Sequence, residues 1–354
     1  MPPKSTAKSS KDHLPNQMVI SMVAAVAIAH LLNDLIQAVL PAIYPMLKIE
    51  FNLSFSQIGL IALIYQITAS LLQPFVGLYT DRHPLPYLLP VGMSITLVGI
   101  TVMAFATHFY ILLLAAVLVG IGSSTFHPEA SRVARMASGG RFGTAQSAFQ
   151  VGGNSGSAIG PLLAALIIIP NGKSAVAWFT GFALLAIFIL FRVSRWLIQQ
   201  AQQPKKQSAI QHTGLKGILL YRALGVIGIL MLVKFTYIAS ISNYYTFYLM
   251  ERFSLSLVQS QVYLFAFLAA VALGTFAGGP IGDKIGRSAV IWVSFLGIIP
   301  FALVLPYVNL MWTAILSIMI GLVISSAFSA MVVYAQEAMP GRVGLVSGLM
   351  FGMM

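Results

Sequence analysis

Cysteine is absent from all 354 residues, which removes disulfides and thiolate metal sites and leaves the redox compartment unreadable. Charge is almost as scarce. Asp, Glu, Lys and Arg make up 8% of the chain and hydrophobic residues 58%, against roughly a quarter charged in soluble domains, so most of this chain cannot sit in water. With 8 acids and 6 histidines, and no nucleophile, base and orienting group recurring together, the sequence speaks against an enzyme. No metal and no organic cofactor is expected. What remains is an all-α integral membrane protein with a lipid bilayer as its solvent, expected to be a monomer.

The leading MPPKSTAKSSKDHLPNQ is polar and basic, but the apolar run after it is too long for a signal-peptide core and lacks a cleavage site. It should stay attached as the first span. Apolar runs of about 20 residues, the length a helix needs to cross a bilayer, recur near 18–47, 55–79, 86–106, 109–135, 144–169 and 174–194. After the polar stretch SRWLIQQAQQPKKQSAIQHTGLKG they resume near 219–249, 256–281, 288–307 and 310–337, and an eleventh begins near 343. The implied organisation is a tail over 1–17, a six-helix bundle over 18–198, a central loop over 199–217 and a second bundle over 218–354. The last run stops at FGMM, so the second bundle is expected to lack the rest of helix eleven and helix twelve, as in a fragment or a truncated gene.

Charge orients these spans. With the amino terminus in the cytoplasm, every Lys and Arg falls in cytoplasmic segments or helix ends except Lys48, Lys173, Arg252 and the intramembrane Lys234, as the positive-inside rule asks. The net charge of +12 is therefore topology. It gives no support to a nucleic-acid partner, because the basic residues hug membrane edges instead of forming a folded basic face.

The sequence also repeats itself. FNLSFSQ from Phe51 recurs as FSLSLVQ from Phe253, an offset of 202 at which Gly77 and Asp81 fall on Gly279 and Asp283; GRFG from Gly140 recurs as GRVG from Gly341 after a one-residue slip. Parallel repeats related by an axis along the membrane normal build one large transporter class, with the binding site at midplane between the halves.

The loops GLYTDR, Gly77 to Arg82, and GPIGDKIGR, Gly279 to Arg287, resemble the signature loop of the major facilitator superfamily, G-x-x-x-D-[RK]-x-G-[RK]. The second copy, with Asp283, Lys284 and Arg287, matches fully. The first departs after Arg82, where HPLP should stiffen it. In the fifth span Gly152, Gly156, Gly160 and Ala164 stand four apart and Pro161 follows the third glycine. Such a small-residue ladder permits close helix packing, and the proline disturbs the hydrogen-bond ladder. Ordinary packing explains the spacing alone; the added Gly-Pro resembles the G-x-x-x-G-P motif of drug/proton antiporters. SSTFHPEASRVARMASGGRFGTAQSAFQVGGNSGSAIGP from Ser123, together with HLLNDLIQ from His30, is similar to the fosmidomycin-resistance group of that superfamily. The resemblance implies a bacterial cytoplasmic-membrane, proton-driven exporter of such phosphonates and other small amphipathic drugs. Ala116 stands four residues before Gly120 where many antiporters have R-x-x-x-G, so no arginine-centred relay is expected there.

HLLNDLIQ carries the chemistry. His30, Asn33, Asp34 and Gln37 are spaced i, i+3, i+4 and i+7 and share one side of a helix. A carboxylate at mid-membrane costs roughly 2.5 to 3.5 kcal/mol on insertion scales, so such residues usually face a bundle interior and mark a pathway. Asp34 with His30 is the candidate proton-coupling pair and Asn33 and Gln37 candidate substrate contacts; the alternative is a structural aspartate fixed by Asn33 or a neighbouring helix. On helix seven Lys234, Tyr237, Tyr244 and Tyr248 read as one side, a cation for an anionic headgroup beside aromatic rings for an amphipathic body. Lys234 is equally placed to neutralise Asp34. His127, Glu129 and Arg132 sit near the cytoplasmic end of helix four, where a gate lock with Asp81 and Arg82 is favoured over direct proton handling. Gln146, Gln150 and Asn154, spaced by four, read as cavity groups or as interhelical glue.

Export by proton antiport is the expectation. An uptake symporter for an organic or phosphorylated anion, and a non-transporting sensor or channel, compete with it on the same fold.

Overall fold

The computed structural model describes residues 17–202 and 217–353. Most of the expected tail (1–17) and central loop (199–217) therefore lies outside the described residues. The chain is helical: α1 Ile20–Ala42, α2 Tyr44–Glu50, α3 Phe55–Arg82, α4 Leu88–Ala104, α5 Phe109–Ala137, α6 Phe142–Asn171, α7 Lys173–Gln202, α8 Gly217–Phe253, α9 Leu257–Ile285, α10 Arg287–Tyr307, α11 Leu310–Ala338 and α12 Val343–Gly352. Among the described residues nine helices are long and apolar enough to cross a membrane; α4 and α12 are shorter apolar helices at the places where the expected third and eleventh spans lie.

The repeat has a physical basis at its first motif. Asn52 and Ser254 both take a left-handed backbone, φ 49° and 53°. Two residues on, Ser54 and Ser256 each accept from the amide of Gln57 and Gln259, while the glutamine side chains accept from the serine amides. These are capping boxes, and they start α3 and α9 at equivalent positions 202 residues apart.

Two π-helical turns interrupt the long helices. Ile67–Leu71 lies within α3, and Ala164–Ile168 follows Pro161 in α6. Such turns gather at functional sites, and the first lies in the cavity wall described below.

The glycine ladder of α6 packs on α1. A Cβ at Gly152 would lie 2.0 Å from the Ala27 carbonyl oxygen, at Gly156 2.1 Å from that of Leu31, and at Gly160 2.7 Å from that of Leu35. Both series advance by four, so the two helices run alongside each other one turn at a time. Only glycine allows this approach, and it brings the main chain of α6 against the stripe that bears Asp34.

Candidate functional site

Asp34 is held between two histidines. His30 Nε2 is 3.3 Å from Oδ2 and His127 Nε2 is 3.4 Å from Oδ1. Asn33 Nδ2 donates to Oδ1 at 3.0 Å. Helix α1 places His30 below Asp34 by its one-turn spacing, and α5 brings His127 in from across the bundle. Gly153, next to the first glycine of the ladder, clears the room: a Cβ there would stand 2.4 Å from the His30 ring and 2.7 Å from Asp34 Oδ2. Phe149 stacks on His30 with ring centroids 4.1 Å apart, and Phe351 stacks on His127 at 5.4 Å. Polar groups are thus seated in an aromatic cage, where low dielectric strengthens every charge contact.

The cluster opens on a cavity of about 270 Å³ lined by His30, Asp34, Gln37, Tyr65, Ser123 and His127 among others, near the small end of the roughly 300–1,000 Å³ of small-molecule sites. Gln37 Oε1 accepts from Tyr65 Oη (2.6 Å) and Ser123 Oγ (2.9 Å). Its buried Nε2 has no protein partner, and a donor left so carries a desolvation penalty until something accepts from it.

Beyond the cluster one end of the molecule is sealed. The Val19 amide donates to the Ala137 carbonyl at 2.8 Å, so α1 begins at that same end, and the cavity lining runs along α1 from His30 to Pro41 away from it. At the seal, Asp81 at the end of α3 accepts from the amides of Gly344 and Leu345, both at 2.9 Å. These are free donors in the first turn of α12. Asp283 at the end of α9 does the same for α6, accepting from the Gly143 amide at 2.9 Å and from the amide and hydroxyl of Thr144 at 2.8 and 2.7 Å. Each carboxylate caps the positive end of a helix from another part of the fold. Gly77 and Gly344 make the first contact possible, since a Cβ at Gly77 would lie 2.1 Å from the Gly344 oxygen; Gly279 meets Gly143 in the same way, at 2.2 Å.

Arg132 ties the first cap down, 2.6 Å from Asp81 and 3.2 Å from Glu129. Arg287 pairs with Asp283 at 3.1 Å and with Glu337 at 3.3 Å. Inside these pairs lies a polar layer. Gln336 Nε2 donates to Ser131 Oγ and Ser347 Oγ, those hydroxyls are 3.2 Å apart, and Arg135 donates to Gln336 Oε1 at 3.1 Å.

The structure therefore regroups the residues singled out in the sequence. His127 joins Asp34 and His30 instead of the gate, because its helix turns it half a turn from Glu129. Arg82 and Lys284 are exposed; within the group read as a gate lock, Asp81 pairs with Arg132. Asn33 is buried beside Asp34, outside the cavity lining. Gln150 and Asn154 bond each other at 3.0 Å and also stay outside the lining, and Gln146 accepts from Ser131 at 3.0 Å in the seal.

On α8 the expected single face splits. Lys234 is 3% exposed whereas Tyr244 is 69% exposed; ten residues are close to 2.8 turns, which carries Tyr244 off the face of Lys234. Tyr245 takes the buried place and donates to Ser317 at 2.9 Å, Tyr248 holds a buried hydroxyl without a partner, and Tyr237 is half-buried. Lys234 is not the counter-charge of Asp34. Its Nζ lies over the rings of Phe328 (4.7 Å) and Phe235 (5.0 Å), and Phe328 touches the cavity residue Phe351 edge-on at 5.6 Å. Tyr65, Ser123, Ser157 and Phe351 also line the cavity, without any sequence signal of their own.

Known proteins resemble this chain in sequence and in fold. The Major Facilitator Superfamily profile matches residues 26–354. The Fosmidomycin resistance protein of Escherichia coli (strain K12) is 56% identical over 332 residues, 94% of this chain and 82% of that protein. The Bacillus subtilis (strain 168) MFS-type transporter YfnC, itself uncharacterized, is 42% identical over 343 residues, 96% of this chain and 84% of that one. Among solved structures, the human organic anion transporter MFSD10 aligns with a TM-score of 0.67 at 16% identity, covering 96% and 92% of the two chains. FucP in its outward conformation aligns at 0.65 and 13%, covering 93% and 89%; at these identities the likeness is one of fold.

Proposed function

The chain belongs to the Major Facilitator Superfamily, and from that membership we propose that it is a proton-driven antiporter of the bacterial inner membrane, exporting fosmidomycin-like phosphonates and other small amphipathic drugs. The observation that carries this reading is a half-buried carboxylate, Asp34, facing a cavity that is sealed at one end by groups able to part. Two homologous bundles, residues 18–198 and 218–354, rock about that cavity with the amino terminus in the cytoplasm.

In the conformation described here the Asp81 and Asp283 caps hold the cytoplasmic end shut. Asp34 and His30 take up a proton from the other side. Proton loading favours reorientation; release to the cytoplasm then accompanies drug binding, because a ligand shifts the balance of two states only through its different affinity for them. Gln37, with its free amide donor, contacts the drug. Lys234, reached past Phe328 and Phe351, receives its anionic group.

Cells making the protein should withstand fosmidomycin, and a protonophore should abolish that protection. Drug accumulating inward with the proton gradient would instead establish a symporter. Replacing Lys234 by Gln should remove transport of anionic substrates and spare neutral ones, measured side by side in vesicles; equal loss of both would assign Lys234 to folding.

A further inference from the structure

Both histidines of the cluster give Nδ1 to a main-chain carbonyl, His30 to Phe149 at 2.8 Å and His127 to Ser123 at 3.3 Å. A carbonyl oxygen only accepts, so each Nδ1 carries the ring proton, and in the neutral ring Nε2 is a bare lone pair. Two lone pairs then converge on the Asp34 carboxylate, at 3.3 and 3.4 Å. Lone pairs facing an anion repel one another unless a cation stands between them.

The spacing says which cation fits. A charge-assisted N–H···O bond runs at about 2.7–2.9 Å, shorter than either contact. Ligand atoms around a tetrahedral ion with bonds of about 2.0–2.1 Å stand roughly 3.3–3.4 Å apart, the distance of each histidine nitrogen from the carboxylate oxygen nearest it, Oδ2 for His30 and Oδ1 for His127. A carbonyl on the far nitrogen is also how metal-bound imidazoles are ordinarily oriented, since it fixes the tautomer that leaves Nε2 free to ligate.

The three ligand atoms lie within 4.8 Å of one another, and all three residues line the cavity, which leaves a fourth position open. We propose that His30, Asp34 and His127 form a site for a divalent transition-metal ion of the zinc class, with water or an anionic ligand from the cavity completing its coordination. Two imidazolium protons and one divalent ion bring the same charge to this carboxylate, so metal and protons compete for it. The inference rests on the cluster's geometry and holds whether or not transport is proton-driven.

The test is a cobalt titration of the purified full chain, freed of any histidine tag, in detergent near neutral pH. One Co²⁺ per chain should produce the visible absorption of a tetrahedral complex, and Zn²⁺ should displace it. Losing an outer-shell partner weakens metal sites by about 10–100-fold, so His127→Ala, His127→Gln and Asp34→Asn, which remove or blunt a ligand itself, should each weaken binding by about 100-fold or more. His83→Ala and His108→Ala should leave it unchanged. Absence of the spectrum at one equivalent, or its survival in both His127→Gln and Asp34→Asn, would show that protons alone occupy the cluster and overturn the proposal. Drug flux plays no part in the readout, so failure here leaves the antiport reading to its own tests.

Discussion

Everted vesicles carrying Asp34→Asn should show no proton-dependent drug uptake above that of vesicles without the protein. The substitution keeps the shape of the side chain and its place beside Asn33, His30 and His127, so the fold should survive. It removes the one acid among the residues that line the cavity, and with it the group whose charge couples the driving ion to the conformational balance. Because a ligand moves a two-state equilibrium only by its differential affinity, a site unable to bind a proton differently in the two states cannot be driven by a gradient. Drug binding itself should persist, since Gln37, Tyr65 and Ser123 are untouched. Full proton-dependent uptake by the variant would remove Asp34 from the mechanism.

The second large effect concerns the seal. The natural lack of cysteine allows a clean pair to be introduced at Ser131 and Ser347, whose hydroxyls are 3.2 Å apart across α5 and α12. Sulfurs in those places come within reach of a disulfide. Oxidising Ser131→Cys with Ser347→Cys should stop transport completely, and a reductant should restore it, because the bond would tether α12 to α5 in the closed arrangement. Adding Gly77→Val should abolish cross-linking: its Cβ would collide with the Gly344 main chain and hold α3 and α12 apart. Transport at the normal rate in the cross-linked protein would mean that this end never opens.

Much of this was legible in the sequence where the signal is local. The i, i+3, i+4, i+7 stripe identified His30, Asp34 and Gln37 as one face, and the repeat reflects shared chemistry, a capping serine and glutamine followed by a capping aspartate. Helical periodicity, however, says which residues of one helix share a face and nothing about which other helix that face meets. Proximity in the chain therefore groups His127 with Glu129 and Arg132, although its ring crosses to Asp34 on α1. The same blindness hid Tyr65 and Phe351, which reach the cavity from α3 and α12. Lys234 and Asp34 looked like natural partners because both are charges in apolar spans. Among the described residues His30 and His127 face Asp34, and the rings of Phe235 and Phe328 lie against the Lys234 ammonium.

The antiport claim is tested most directly by proton movement itself. Proteoliposomes holding the full chain and an internal pH-sensitive dye would be given fosmidomycin on one side without an imposed gradient. Drug entering should drive protons out, so that the lumen becomes alkaline in the wild type and remains unchanged with Asp34→Asn. Acidification of the lumen, which is co-transport, or an alkaline shift of equal size in Asp34→Asn, would contradict the account.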